Sequence, residues 1–106
     1  MEIGDPRGRD RTAYGNLGIA YCSLDDYRKA IEYLEKSGKI AMEIDDRGGE
    51  GKSYGNLGNA YRCLGDYRKA IEDHEKSLKI AIEIGYRGGE GGSYGSLGNA
   101  YQYLGE

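Results

Sequence analysis

Tyr54-Gly55-Asn56-Leu57-Gly58-Asn59-Ala60-Tyr61 decides the fold, because it occurs three times. Its earlier form is Tyr14-Gly15-Asn16-Leu17-Gly18-Ile19-Ala20-Tyr21, and its later form is Tyr94-Gly95-Ser96-Leu97-Gly98-Asn99-Ala100-Tyr101. The leading tyrosines, Tyr14, Tyr54 and Tyr94, are 40 residues apart. A second block keeps the same spacing: Asp26-Tyr27-Arg28-Lys29-Ala30-Ile31-Glu32 returns as Asp66-Tyr67-Arg68-Lys69-Ala70-Ile71-Glu72. A fixed period of this size marks stacked supersecondary units.

Within a unit, Tyr54, Leu57, Gly58 and Tyr61 fall at i, i+3, i+4 and i+7, one face of a helix. Tyr67, Ala70, Ile71, His74, Leu78 and Ala81 do the same and carry a second helix to about Ile84. Leu64-Gly65-Asp66 between them reads as a helix stop followed by an N-cap. The Gly-Gly-Glu-Gly stretch between units reads as a stop for one helix and a loose start for the next. The unit is therefore a helical hairpin with a longer second helix. Each first helix carries two interior glycines, such as Gly55 and Gly58, at about 1 kcal/mol each relative to Ala. Stacking of neighbouring hairpins must supply the missing stability. Gly58, beside Ala60 and opposite Ala70, is expected to let the two helices approach closely.

Composition sets the class. The chain has 106 residues, room for one domain, and its large core-forming side chains are Leu, Ile and 11 tyrosines, with no Phe or Trp. Tyrosine keeps a hydroxyl that needs a partner, so the packing should be thin, with most tyrosines near an edge. That suits an extended stack better than a globule. Net charge is −3, with 15 basic and 18 acidic residues well mixed, which gives no driving force toward nucleic acid or anionic membranes. No apolar run approaches membrane-spanning length and no signal-peptide pattern opens the chain, so the expectation is a cytoplasmic protein. Cys22 and Cys63 are distant in sequence and not at equivalent repeat positions, which argues for free thiols over a disulfide or a metal site.

Arg47-Gly48-Gly49-Glu50-Gly51-Lys52-Ser53 ends like a phosphate-binding loop. Such a loop needs a glycine where Asp46 stands, and it must follow a strand, whereas Ala41-Met42-Glu43-Ile44 ends a helical pattern. The segment also recurs as Arg87-Gly88-Gly89-Glu90-Gly91-Gly92-Ser93, without the lysine. No nucleotide cofactor is implied. His74 is the only histidine and matches Leu34 one repeat earlier, so it reads as a packing residue. It has no serine or cysteine at motif spacing, and no enzyme is expected. The Glu, Lys and Arg residues of the second helices read as a solvated face of i,i+4 pairs.

Tyr-x-x-Leu-Gly-x-x-Tyr, then Gly-Asp-Tyr-x-x-Ala, then an aliphatic second helix, resembles the tetratricopeptide repeat over essentially the whole chain. The Gly-Asn-Leu-Gly-Asn-Ala-Tyr form and Ile-Ala-x-Glu-Ile-Gly look most like LGN/Pins-type G-protein signalling modulators, with similar repeats in kinesin light chains. The resemblance implies an all-α, right-handed α-solenoid of antiparallel helical hairpins, about five helices here, with no catalytic activity of its own. Repeat units fall at about 8–47, 48–87 and, in part, 88–106. Met1-Glu2-Ile3-Gly4 matches the end of a second helix, and Leu104-Gly105-Glu106 stops where another should begin, as in an excerpt from a longer array.

In such arrays the first helices line a concave groove. The resemblance assigns groove positions to Lys52, Gly55, Asn56, Asn59, Arg62 and Cys63 in the middle repeat. Their counterparts are Thr12, Gly15, Asn16, Ile19, Cys22 and Ser23, then Gly92, Gly95, Ser96, Asn99, Gln102 and Tyr103. Helical spacing agrees, since residues 52, 55, 56, 59 and 62 form one stripe opposite Leu57 and Tyr61. Asparagine can donate and accept, so Asn16, Asn56, Asn59 and Asn99 could pair with an extended peptide backbone, while Lys52 and Arg62 favour a carboxylate. Gly55 leaves space for close approach, and Gln102 extends the amide stripe. The expected function is a protein-interaction scaffold that binds a short, acidic, extended peptide. The alternative is an assembly module that self-associates through its uncapped ends and has no groove ligand.

Overall fold

The computed structural model describes residues 6–105. Five helices follow one another: α1 (Pro6–Ser23), α2 (Tyr27–Glu43), α3 (Arg47–Cys63), α4 (Tyr67–Ile84) and α5 (Arg87–Leu104). Each packs mainly on its sequence neighbours, and the first helices of successive repeats also touch, α1 on α3 and α3 on α5. The result is an α-solenoid measuring 54 × 31 × 18 Å, an extended stack as the tyrosine-rich composition implies. The resemblance of Met1-Glu2-Ile3-Gly4 to a helix end lies outside the described residues.

Turn chemistry sets the hairpins. Gly65, at φ 83°, ends α3 in the left-handed conformation that glycine adopts without strain. Asp25 occupies the same place after α1 at φ 62°, a conformation Asp tolerates better than most residues. Asp26 and Asp66 then cap α2 and α4, accepting from the backbone N–H of Lys29 and Lys69 at 3.3 and 3.1 Å.

The Gly-Gly-Glu-Gly stretch departs from expectation. It is no linker: α3 and α5 begin at Arg47 and Arg87, so these glycines lie inside the opening turns. Asp46 makes this possible at α3, because its carboxylate accepts the Gly49 N–H at 2.9 Å. A Cβ on Gly49 would stand 2.4 Å from that carboxylate, and one on Gly51 would stand 3.0 Å from Ile80. Gly49 and Gly51 are there for close packing, and the phosphate-loop likeness is an N-capped helix start.

The core is thin. Ala30, Ile31, Leu34, Leu57 and Ala60 form one cluster, with Tyr21, Cys22, Tyr54 and Tyr61 packed around it, and Ile71, Leu97 and Ala100 form another. No described tyrosine is fully buried. Tyr33 is stacked between Tyr14 and Tyr21, with ring centroids 5.9 and 5.5 Å away. The charged face of the second helices is more than solvated pairs, since Lys29, Lys36, Lys69 and Lys76 also lie over tyrosine rings at 5.3–5.6 Å. Gly58 meets His74 rather than Ala70: a Cβ there would stand 2.6 Å from the imidazole. In the first hairpin, Gly18 meets Leu34 in the same way.

Candidate functional site

The stacked first helices bring the anticipated groove residues into adjoining sections of one depression, except Cys63 and Gly95, which line none of those sections. Asn16 and Lys52 line its first section, between α1 and α3. Lys52, Gly55, Asn56 and Asn59 line the next, between α3 and α5 over α4. Asn59, Arg62, Asn99 and Gln102 line the third. Asn56 and Asn59 also border a fourth hollow with Ile19, Cys22 and Ser23, so these two amides join all the sections. Helix periodicity explains the alignment: the stripe opposite the buried Leu57 can only face outward.

Asn16, Lys52, Asn59, Asn99 and Gln102 are exposed, while Gly55, Asn56 and Arg62 are half-buried. Lys52 and Arg62 have no ion pair or hydrogen bond among the described residues, so both cations are available to an anionic ligand. The cation positions do not repeat, since Thr12 and Gly92 stand in place of Lys52, and Cys22 and Gln102 in place of Arg62.

His74 is buried on the inward face of α4, as its match to Leu34 implies. Burial, with the Arg62 charge nearby, pushes its pKa below the usual imidazole value. Its Nε2 has no hydrogen-bond partner among the described residues. Sequence reasoning assigned this residue to packing and missed that it lies on the groove floor; its polarity at an otherwise apolar position was the available signal.

Both cysteines are free. The contact of α1 with α3 brings them close enough that Cys63, after burial, raises the Cys22 thiol pKa, a proximity that sequence separation hid. Tyr27 donates to Asp25 at 2.8 Å, and that bond, with a contact to Cys63, pushes its hydroxyl up to about 12. Among the described residues, no His, Cys, Asp and Glu group could hold a metal ion, and no helix is long and apolar enough to cross a membrane.

Comparison with known proteins agrees with the geometry. Of the solved structures, 39 chains match. One is the TPR domain of Arabidopsis FLU, with a TM-score of 0.90 and 24% identity over 94% of this chain and 84% of that one, a likeness of fold. Comparison with curated proteins returned no significant match. The tetratricopeptide repeat model matches residues 9–83 and again 50–106. With matches that together cover nearly every residue and with stacked hairpins in the structure, the chain belongs to the tetratricopeptide repeat family.

Proposed function

We propose that this chain is a cytoplasmic interaction scaffold whose groove binds a short, extended, acidic peptide from a signalling or cytoskeletal partner. One observation carries the reading: three successive first helices contribute amides to a single depression, two of whose lining cations, Lys52 and Arg62, are unpaired. Asn16, Asn56, Asn59 and Asn99 supply donors and acceptors at helix-repeat spacing for a peptide backbone. Lys52 and Arg62 attract carboxylates across its middle, and Gly55 allows close approach. The likeness of the repeats to LGN/Pins-type modulators and kinesin light chains supports a partner of that kind. The test is a peptide-display selection on the protein and on the Asn56→Ala/Asn59→Ala variant, with circular dichroism confirming that both are helical. Acidic peptides retained by the protein and lost by the variant support the reading; equal retention would sink it.

Tyr94 favours a second reading. Tyr14 and Tyr54 lie half-buried beneath Lys36 and Lys76, whereas Tyr94 is 56% exposed on α5. Such a face suits stacking on another helical hairpin, in a longer array or between copies. A monomer in light scattering at high micromolar concentration would count against association of copies.

A further inference from the structure

The two thiols belong to different repeats, yet the stack brings them to the same end of the contact between α1 and α3. Cys22 stands on the last turn of α1, and its side chain packs around the core cluster that contains Leu57 and Ala60 of α3. It also borders, with Asn56 and Asn59 of α3, the hollow at that end of the groove. Cys63 follows Ala60 by three residues and Asn59 by four, so it lies one turn further along the face of α3 that Cys22 meets. The Tyr27 hydroxyl, held by Asp25 at 2.8 Å, touches Cys63 from the start of α2, just past the turn that follows Cys22.

The repeat itself requires neither cysteine. Arg62 and Gln102 stand at the Cys22 position of the later repeats, and Ser23 and Tyr103 stand at the Cys63 position of the others. A thiol of one repeat therefore faces a thiol of the next at the first junction and not at the second. Both are free, Cys22 half-buried and Cys63 exposed. Burial first, and the Cys63 charge after it, hold the Cys22 thiol above its ordinary pKa.

We propose that Cys22 and Cys63 are an oxidisable dithiol that closes to a disulfide between the first and second repeats and locks α1 to α3 at one end of the groove. Exposed Cys63 is the point of entry. Its thiolate attacks a small disulfide such as glutathione disulfide, forms a mixed disulfide and releases one glutathione thiolate. The Cys22 thiolate then attacks the Cys63 sulfur, and the second glutathione leaves. The two protein thiols give up two electrons and two protons, and one glutathione disulfide becomes two glutathiones. Half-buried Cys22 is shielded from an external oxidant and placed to resolve the adduct on its neighbour. A reducing compartment keeps such a pair open, and an oxidising episode closes it. The closed loop takes in all of α2 and nearly all of α3, so the bond holds the first hairpin against the second.

The experiment equilibrates the protein in glutathione redox buffers, natively and in urea, quenches with acid, and reads intact mass and digested peptides. The native protein should become a monomer lighter by the two thiol hydrogens and yield a peptide that links Cys22 to Cys63. Closure should be at least about tenfold more favourable than in the urea-unfolded chain, since the fold and not the chain brings the thiols together. Cys22→Ser, shown to be helical by circular dichroism, should stop at one glutathione on Cys63. The closed monomer should unfold about 10 °C or more above the dithiothreitol-reduced protein. Closure no more favourable than in urea, separate glutathione adducts on both cysteines, or disulfide-linked dimers alone would overturn the pairing. Equal unfolding temperatures for the closed and reduced protein would overturn the lock.

Discussion

Ser77 Oγ donates a hydrogen bond of 2.9 Å to the carbonyl oxygen of Gly51, tying the middle of α4 to an early turn of α3. Ser37 makes the same bond to Arg11 at 2.8 Å one repeat earlier, so the latch is periodic. The acceptor carbonyl lies within α3 and keeps its helical partner if the serine is lost. Ser77→Ala should therefore cost about 1 kcal/mol, the net worth of one hydrogen bond, and not the larger penalty of an orphaned group. Urea denaturation followed by circular dichroism measures it; an unchanged midpoint would show that the latch does not contribute.

Glycines at equivalent positions should respond in opposite directions to alanine. Gly58→Ala forces a Cβ to within 2.6 Å of the His74 ring, and overpacking of this kind costs about 1–3 kcal/mol, more than the helix-propensity gain of about 1 kcal/mol. Gly98→Ala meets nothing within 4 Å and should stabilise by up to about 1 kcal/mol. Thermal unfolding of the two single variants compares them directly.

Asp46 serves two structures at once: it caps α3 through the Gly49 N–H and pairs with Arg11 of α1 at 3.0 Å. Asp46→Ala should cost about 1–2 kcal/mol, the upper part of the range for losing an N-cap. Asp46→Asn, which keeps an oxygen acceptor, should recover most of that loss. Equal destabilisation by both would assign the effect to the Arg11 pair and not to the cap.

Stability should fall on acidification because of His74. Its pKa is lowered on folding, so below the unfolded value of about 6.5 the unfolded chain binds a proton that the native protein does not. The stabilising contribution is complete above that value and is lost as pH falls from there toward the folded pKa. Asp73, buried beside Lys69 and raised mainly by desolvation, acts oppositely. It favours the native state when protonated, from low pH up toward its raised folded pKa. His74→Leu should flatten the loss that sets in as pH falls through about 6.5, measured by denaturant midpoints. An unchanged slope would exclude His74 as its source.

The periodic features were the legible ones. Tyr14, Tyr54 and Tyr94 announced the repeat, Gly65-Asp66 the turn and cap, and the stripe from Lys52 to Arg62 the depression. Each is a local pattern whose spacing matches helix geometry. The starts of α3 and α5 were misread, because their glycines have poor helix propensity; only the structure shows the Asp46 cap and Ile80 against Gly51 at α3, and Tyr86 against Gly88 and Gly89 at α5. Gly58 was paired with Ala70, one turn from its real neighbour, since which residues meet across a hairpin depends on how the helices cross.

The sequence by itself determined an array of helical hairpins, its period and the polar face its first helices expose, because hydrophobic spacing and turn residues act over a few neighbouring positions. Only the tertiary structure decided that matched residues make a closed junction between α1 and α3 and an open one between α3 and α5. That difference arises from contacts between side chains far apart in the chain: Arg11 reaches Asp46 at one junction, whereas Gly51 and Tyr86 stand at those positions at the other. No local pattern encodes such a meeting, since it exists only once the hairpins have stacked.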